Sequence, residues 1–154
     1  MEEAMETTER TEMPGGGQML PMMYHLMASY EKRCQPLCKQ FDLPQTAVDI
    51  LMFLANHPGC RTASEVSRYR RIQPSLVSFH VDRLVKAGYL ERIPAADSRR
   101  KIYLEYTAAA EPLIQAGHKI QQEFMQDITK EISEADQQVM ARCMKQIAEN
   151  IRGL

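Results

Sequence analysis

Apolar residues recur along the chain at gaps of three and four, then briefly at gaps of two, then at three and four again. Over residues 19–40 they are Leu20, Met23, Met27, Tyr30, Cys34 and Leu37, one face of a helix. Pro36 is expected to bend or shorten that helix near its end. Pro44 suits the first turn of a second helix with Val48, Leu51, Met52 and Leu54 or Ala55 on its inner side. Asn56-His57-Pro58-Gly59 ends it. Thr62-Ala63-Ser64-Glu65 is a capping box that opens a short third helix. A fourth starts at Gln73-Pro74 and runs to Ala87-Gly88, with Val77, Val81 and Leu84 inward. Gly88 is placed to take the left-handed conformation that follows a helix end.

The period then drops to two. Residues 89–93 and 102–106 predict strands, and residues 94–101 between them predict a basic loop too long for a tight hairpin. Thr107 is expected to cap a long helix carrying Leu113, Gly117, Ile120, Phe124 and Ile128. Ser133 with Asp136 opens a last helix carrying Val139 or Met140, Cys143, Ile147 and Ile151. Residues 1–18 have no apolar period and include Met13-Pro14-Gly15-Gly16-Gly17, which predicts a disordered tail. The chain therefore reads as mainly α, with one small β-ribbon near its middle.

Charge changes the picture more than composition does. The 154 residues are 44% hydrophobic and 25% charged, ordinary values for a globular protein, and the net charge is only −1. That balance is uneven. Residues 61–101 hold ten basic and four acidic side chains, and the rest of the chain nine basic and sixteen acidic. A middle at +6 between ends that total −7 is an electrostatic footprint for a polyanion, confined to one part of the fold.

Two helices joined by a short turn are the geometry that lays a helix in the major groove of DNA. On the fourth helix Ser75, Ser78, Phe79 and Asp82 share the face opposite Val77, Val81 and Leu84. Small hydroxyls permit close approach to bases and phosphates, and an aromatic edge can meet a thymine methyl. Gln73 precedes this face, and His80 and Arg83 flank it within reach of the DNA backbone. An ordinary solvated helix face would look the same. The ribbon tip tilts the balance: Asp97-Ser98-Arg99-Arg100-Lys101 puts cations on a projecting arm, where an arginine can enter a narrow minor groove. Asp97 can pair with Arg99 or cap the loop and so fix the arm's shape.

Residues 75–92, then Asp97-Ser98-Arg99-Arg100, then a strand ending at Thr107, resemble the MarR (multiple-antibiotic-resistance regulator) family of bacterial winged helix-turn-helix regulators. The resemblance follows helix order from Met19 onward. It implies a winged-helix lobe over residues 44–106, dimerisation helices over 19–43 and 107–154, a reading helix in the major groove and a wing on the minor groove. It also implies a homodimer on inverted repeats of double-stranded DNA, and a repressor relieved by a small-molecule effector. Three features depart from the family pattern: Arg70-Arg71 in the turn, Phe79 where a cation is frequent, and Ala110 where a glycine follows the cap. A dimer is also expected from the stripes alone, since those over residues 20–37, 113–128 and 140–151 exceed what a small reading lobe can cover.

Tyr24, His25, Tyr30 and Phe53, with Phe41 and Met52, are candidates to line an effector crevice, although such residues at helical spacing also make plain core. Cys34 and Cys38, four apart, admit a redox-sensing regulator, but Cys34 also falls on the apolar stripe. The four histidines are scattered, no paired CxxC module is present, and no phosphate loop or nucleophile motif occurs. No metal, cofactor or catalytic activity is expected. No secretory signal or bilayer-length apolar run is found, so a cytoplasmic protein is expected. The rival reading is a winged-helix module that docks another protein and ignores DNA.

Overall fold

The computed structural model describes residues 15–96 and 98–154, which fall in two compact units, one ending at Arg33 and the other running from Cys34 to Leu154. Helix α1 (Gly16–Gln40) begins before the expected residue 19. The expected tail lies outside the described residues up to residue 14. Pro36 does not end α1, which continues to Gln40. The reason is packing on either side of it: Cys34 and Leu37 are buried, and Pro36 itself is exposed. In the first unit Leu20, Met23 and Met27 stay exposed.

The second unit is built around α2 (Gln45–Asn56), α3 (Ala63–Arg70) and α4 (Pro74–Lys86). Strands β1 (Leu90–Ala95) and β2 (Ser98–Tyr106) follow, then a 3-10 turn (Ala108–Ala110), α5 (Glu111–Ile128) and α6 (Glu134–Arg152). Helix α2 is buried on more than one side, with Val48, Ile50, Leu51, Met52, Phe53 and Leu54 all in the core. Val66 of α3, Val77, Val81 and Leu84 of α4, Leu90 and Leu104 of the strands and Leu113 of α5 close on it. Gly117 of α5 faces Met52, and a Cβ there would press on the end of the Met52 side chain, which would have to shift.

Local chemistry sets the joints. Thr62 Oγ1 accepts the Glu65 N–H at 3.2 Å and Glu65 Oε2 accepts the Thr62 N–H at 2.9 Å, the reciprocal box expected at the start of α3. Gly88 takes φ +82° after α4, and the Tyr89 N–H returns to the Leu84 carbonyl at 2.9 Å. Thr107 departs from expectation. Its hydroxyl donates to the Gly88 carbonyl and its N–H to that of Tyr89, so it closes the ribbon rather than capping a helix, and α5 starts only after the 3-10 turn.

The ribbon also differs from the expected long loop. β1 and β2 pair antiparallel from Leu90↔Tyr106 out to Ala95↔Ser98, which leaves a tight connection. The register jumps between Pro94 and Ala95, because Pro94 faces Ile102 and Ala95 faces Ser98. Arg99, Arg100 and Lys101 therefore bulge from β2 with no opposite residue. Proline has no N–H for the ladder, so the irregularity falls where pairing costs least.

Candidate nucleic-acid interface

Helix α4 turns two faces to different surroundings. Val77, Val81 and Leu84 enter the core, while Ser75, Ser78 and Asp82 are exposed and Phe79 is 60% exposed. His80 corrects the expected outward set. It is 6% exposed, because positions 77, 80, 81 and 84 share the inner side of a 3.6-residue helix. Its Nδ1 is buried without a hydrogen-bond partner, and burial, then the nearby Arg83 cation, push its pKa below the ordinary 6.5. Arg83 is exposed, but its guanidinium donates to the Asp42 carbonyl at 3.1 Å, back toward the turn before α2. Gln73 is exposed at the N-cap of α4 and makes no side-chain cap bond.

Sequence patterning missed two cations beside Gln73. Arg68 and Arg71 line a shallow depression with Ser67, Ile72 and Gln73 at the start of α4. Arg71 stands at the helix-to-helix turn with φ +53°, a left-handed conformation that non-glycine residues seldom adopt. The Arg70-Arg71 pair was visible as a departure from the family pattern, but its placement needed the turn geometry. Arg70 itself lies 3.4 Å from Asp49 of α2.

In the wing Arg99, Arg100 and Lys101 are all exposed, whereas Asp97 lies outside the described residues. The wing is anchored through Arg61, which sequence reading did not single out. Its carbonyl accepts the Leu104 N–H at 2.6 Å, and its side chain pairs with Glu105 and lies 4.4 Å from the Tyr103 ring centroid. Lys101 Nζ lies 5.2 Å from that same centroid. Burial alone would raise the Glu65 pKa. The Thr62 hydroxyl, the N–H groups of Arg61 and Thr62 and the nearby Lys101 cation outweigh it and hold the carboxyl below its usual value. Arg92 of β1 pairs with Asp82 of α4 and so ties the wing's first strand to the outer side of the helix.

Residues 41–101, from the turn before α2 to the bulge of β2, match the sequence profile of the MarR family. Over that segment the chain is similar to the MarR family. The likeness in fold extends well past the matched segment. Wild-type apo MarR from E. coli is 18% identical, with 88% of this chain and 98% of that one covered at a TM-score of 0.65. A MarR protein from Peptoclostridium difficile is 14% identical, with 88% of each chain covered at 0.75. MepR of S. aureus, solved in complex with DNA, is 19% identical, with 88% and 96% covered at 0.68. No curated protein matches the chain at a significant level. The chain thus has the winged-helix fold of these structures, with the helix-turn-helix at α3–α4 and the wing at β1–β2.

The expected effector residues do not form one site within the MarR-like lobe. Phe53 is core, stacked on the His57 ring at 4.3 Å, and Met52 is packed against Gly117. Phe41 meets the Tyr89 ring edge-on at 6.3 Å. In the first unit Tyr24 is 76% exposed, His25 is exposed and Tyr30 is half-buried. A cavity of about 260 Å³ lies instead between the end of α2, the loop through Cys60 and Arg61, and residues 104–106 of β2. None of the expected effector residues lines it. Cys38 donates to Gln45 Oε1 at 3.4 Å, and burial, then Cys34 and Asp49, push its thiol pKa up. That shift disfavours the thiolate, the form that reacts, and speaks against the redox reading. Among the described residues no group of three or more potential metal ligands converges, and no helix is long and apolar enough to cross a membrane.

Proposed function

We propose that this protein is a sequence-specific regulator of transcription that binds double-stranded DNA as a homodimer. The observation that carries the reading is one packed lobe that presents an exposed hydroxyl-and-aromatic stripe on α4 and a cationic bulge on β2. In this reading Ser75, Ser78 and Phe79 meet base edges in the major groove. Arg99 and Arg100 take the minor groove, while Gln73, Arg68, Arg71 and Lys101 hold phosphates. Asp97 shapes the turn of the wing. His80, buried, is left out. The solved MepR complex with DNA lends support, since the two chains share a fold.

The dimer is supported by α6, which buries no residue in the protomer and leaves Val139, Met140, Met144, Ile147 and Ile151 exposed. A two-fold dimer of reading helices favours an inverted repeat with half-sites about 10 bp apart, centre to centre. Repression relieved by a small-molecule effector is the regulatory form that the family resemblance gives this reading.

Selection of bound sequences from a random duplex pool tests it. The expected outcome is enrichment of one inverted repeat, with log affinity falling against log salt at a slope of about −5 to −7. No binding of duplex at low salt would sink the proposal and favour the protein-docking module.

A further inference from the structure

The outer stripe of α4 contains one residue at odds with a polyanion. Asp82 lies three residues beyond Phe79 and four beyond Ser78, so its carboxylate points to the side that a phosphate backbone would approach. It is exposed, with 67% of its side chain accessible. Its partner is Arg92, whose guanidinium bonds to Asp82 Oδ1 and which is itself only partly covered. The +6 of the basic middle counts both residues, yet together they contribute nothing to it.

We propose that Arg92 serves DNA binding through Asp82, by cancelling the carboxylate's charge on the reading face, and that it does not itself contact DNA. This rests on the DNA-binding reading above. Held by Asp82, the guanidinium is engaged away from phosphates, and the carboxylate is screened from them at the nearest possible point. The pair is a neutral patch inside a cationic surface. Removing either half therefore changes affinity in opposite directions. Arg92→Ala strips the screen and leaves a bare negative charge facing the backbone. Asp82→Asn removes the charge and frees Arg92 to reach a phosphate.

The test is a double-mutant cycle, read by fluorescence anisotropy on duplex DNA at several salt concentrations, with thermal unfolding of each variant as a check on folding. Arg92→Ala is expected to weaken binding about tenfold at low salt, with a loss that shrinks as salt rises. Asp82→Asn is expected to bind at least as tightly as wild type, with a salt slope steeper by about one unit per Arg92 released. The double variant is expected to recover most of what Arg92→Ala loses, although its helix–strand tie is equally broken. A purely structural tie gives a different pattern: Asp82→Asn weakens binding as much as Arg92→Ala, and the double variant recovers nothing. A direct phosphate contact gives a third, with a loss on Arg92→Ala that persists unchanged in the Asp82→Asn background. Either pattern, with wild type binding normally, overturns this inference alone. A wild-type protein that ignores duplex DNA overturns the DNA reading and this inference with it.

Discussion

Helices α4 and α6 carry the same kind of apolar stripe, and the fold treats them in opposite ways. In α4, Val77, Val81 and Leu84 are buried within the protomer against α2, α3 and β1. In α6, Val139, Met140, Cys143, Ile147 and Ile151 have matching periodicity, and all are exposed. A hydrophobic stripe at helical spacing predicts a helix and the side that seeks cover, but not which chain supplies the cover. The α4 stripe therefore reports a lobe that holds itself together, and the α6 stripe reports an unmet requirement for a second surface.

The largest expected effect breaks the α6 side of that contrast. Ile147→Asp with Ile151→Asp puts charges where the proposed dimer buries apolar surface. It should weaken self-association by at least on the order of a hundredfold, since each buried side chain of this size is worth about 1.5–3 kcal/mol. Sedimentation equilibrium reads this directly, and an unchanged assembly would mean that α6 faces solvent. Next comes the α4 side. Leu84 is fully buried, and Leu84→Ala should cost ~2–5 kcal/mol of lobe stability whatever the protein concentration, measured by denaturant unfolding at two dilutions. Dependence on concentration there would erase the distinction between the two helices.

Thr62→Ala is a smaller probe. It removes one half of the capping box at α3 and should cost about 1 kcal/mol, leaving self-association untouched. His80 gives the smallest effect. Its folded pKa lies below the ordinary 6.5, so the unfolded chain takes up the proton first. Above 6.5 both states are neutral and nothing is lost, whereas stability should decline as the pH falls through 6.5 toward the folded value. Denaturant midpoints at about pH 8 and about pH 5.5 should differ for wild type and converge for His80→Gln. Equal midpoints in wild type would show that the imidazole finds a way to be charged in place.

Most of the helices were legible in the sequence because each signal was local. The Thr62-x-x-Glu65 box, Pro74 at the start of α4 and Gly88 after its end mark boundaries by backbone chemistry that needs no distant partner. One misreading was of local helix phase, and the others came where a distant partner decided the outcome. His80 looked like a flank of the reading face, since polarity alone argues for exposure, but its phase on the helix places it with Val77 and Leu84. The ribbon tip looked like a loop because its charges break alternation, and the register across from Pro94 showed a bulged strand. Arg61 carried no motif, because its function is to join two segments far apart in sequence, through Leu104, Glu105 and Glu65. Phe53 looked like a pocket wall because aromatic residues suit both pockets and cores, and the core claimed it.

The bulge at Arg99, Arg100 and Lys101 also has a consequence for proteolysis. Protease clefts accept extended backbone that has no partner across from it, and trypsin-like enzymes require a cation at the cut. Three consecutive cations without an opposite residue in the ribbon meet both requirements at one place. Limited digestion should therefore nick the folded chain first at the wing and leave the lobe's core fragments associated. The same bonds are those that a duplex seated on the wing would cover, so the rate of that first cut is a label-free gauge of occupancy.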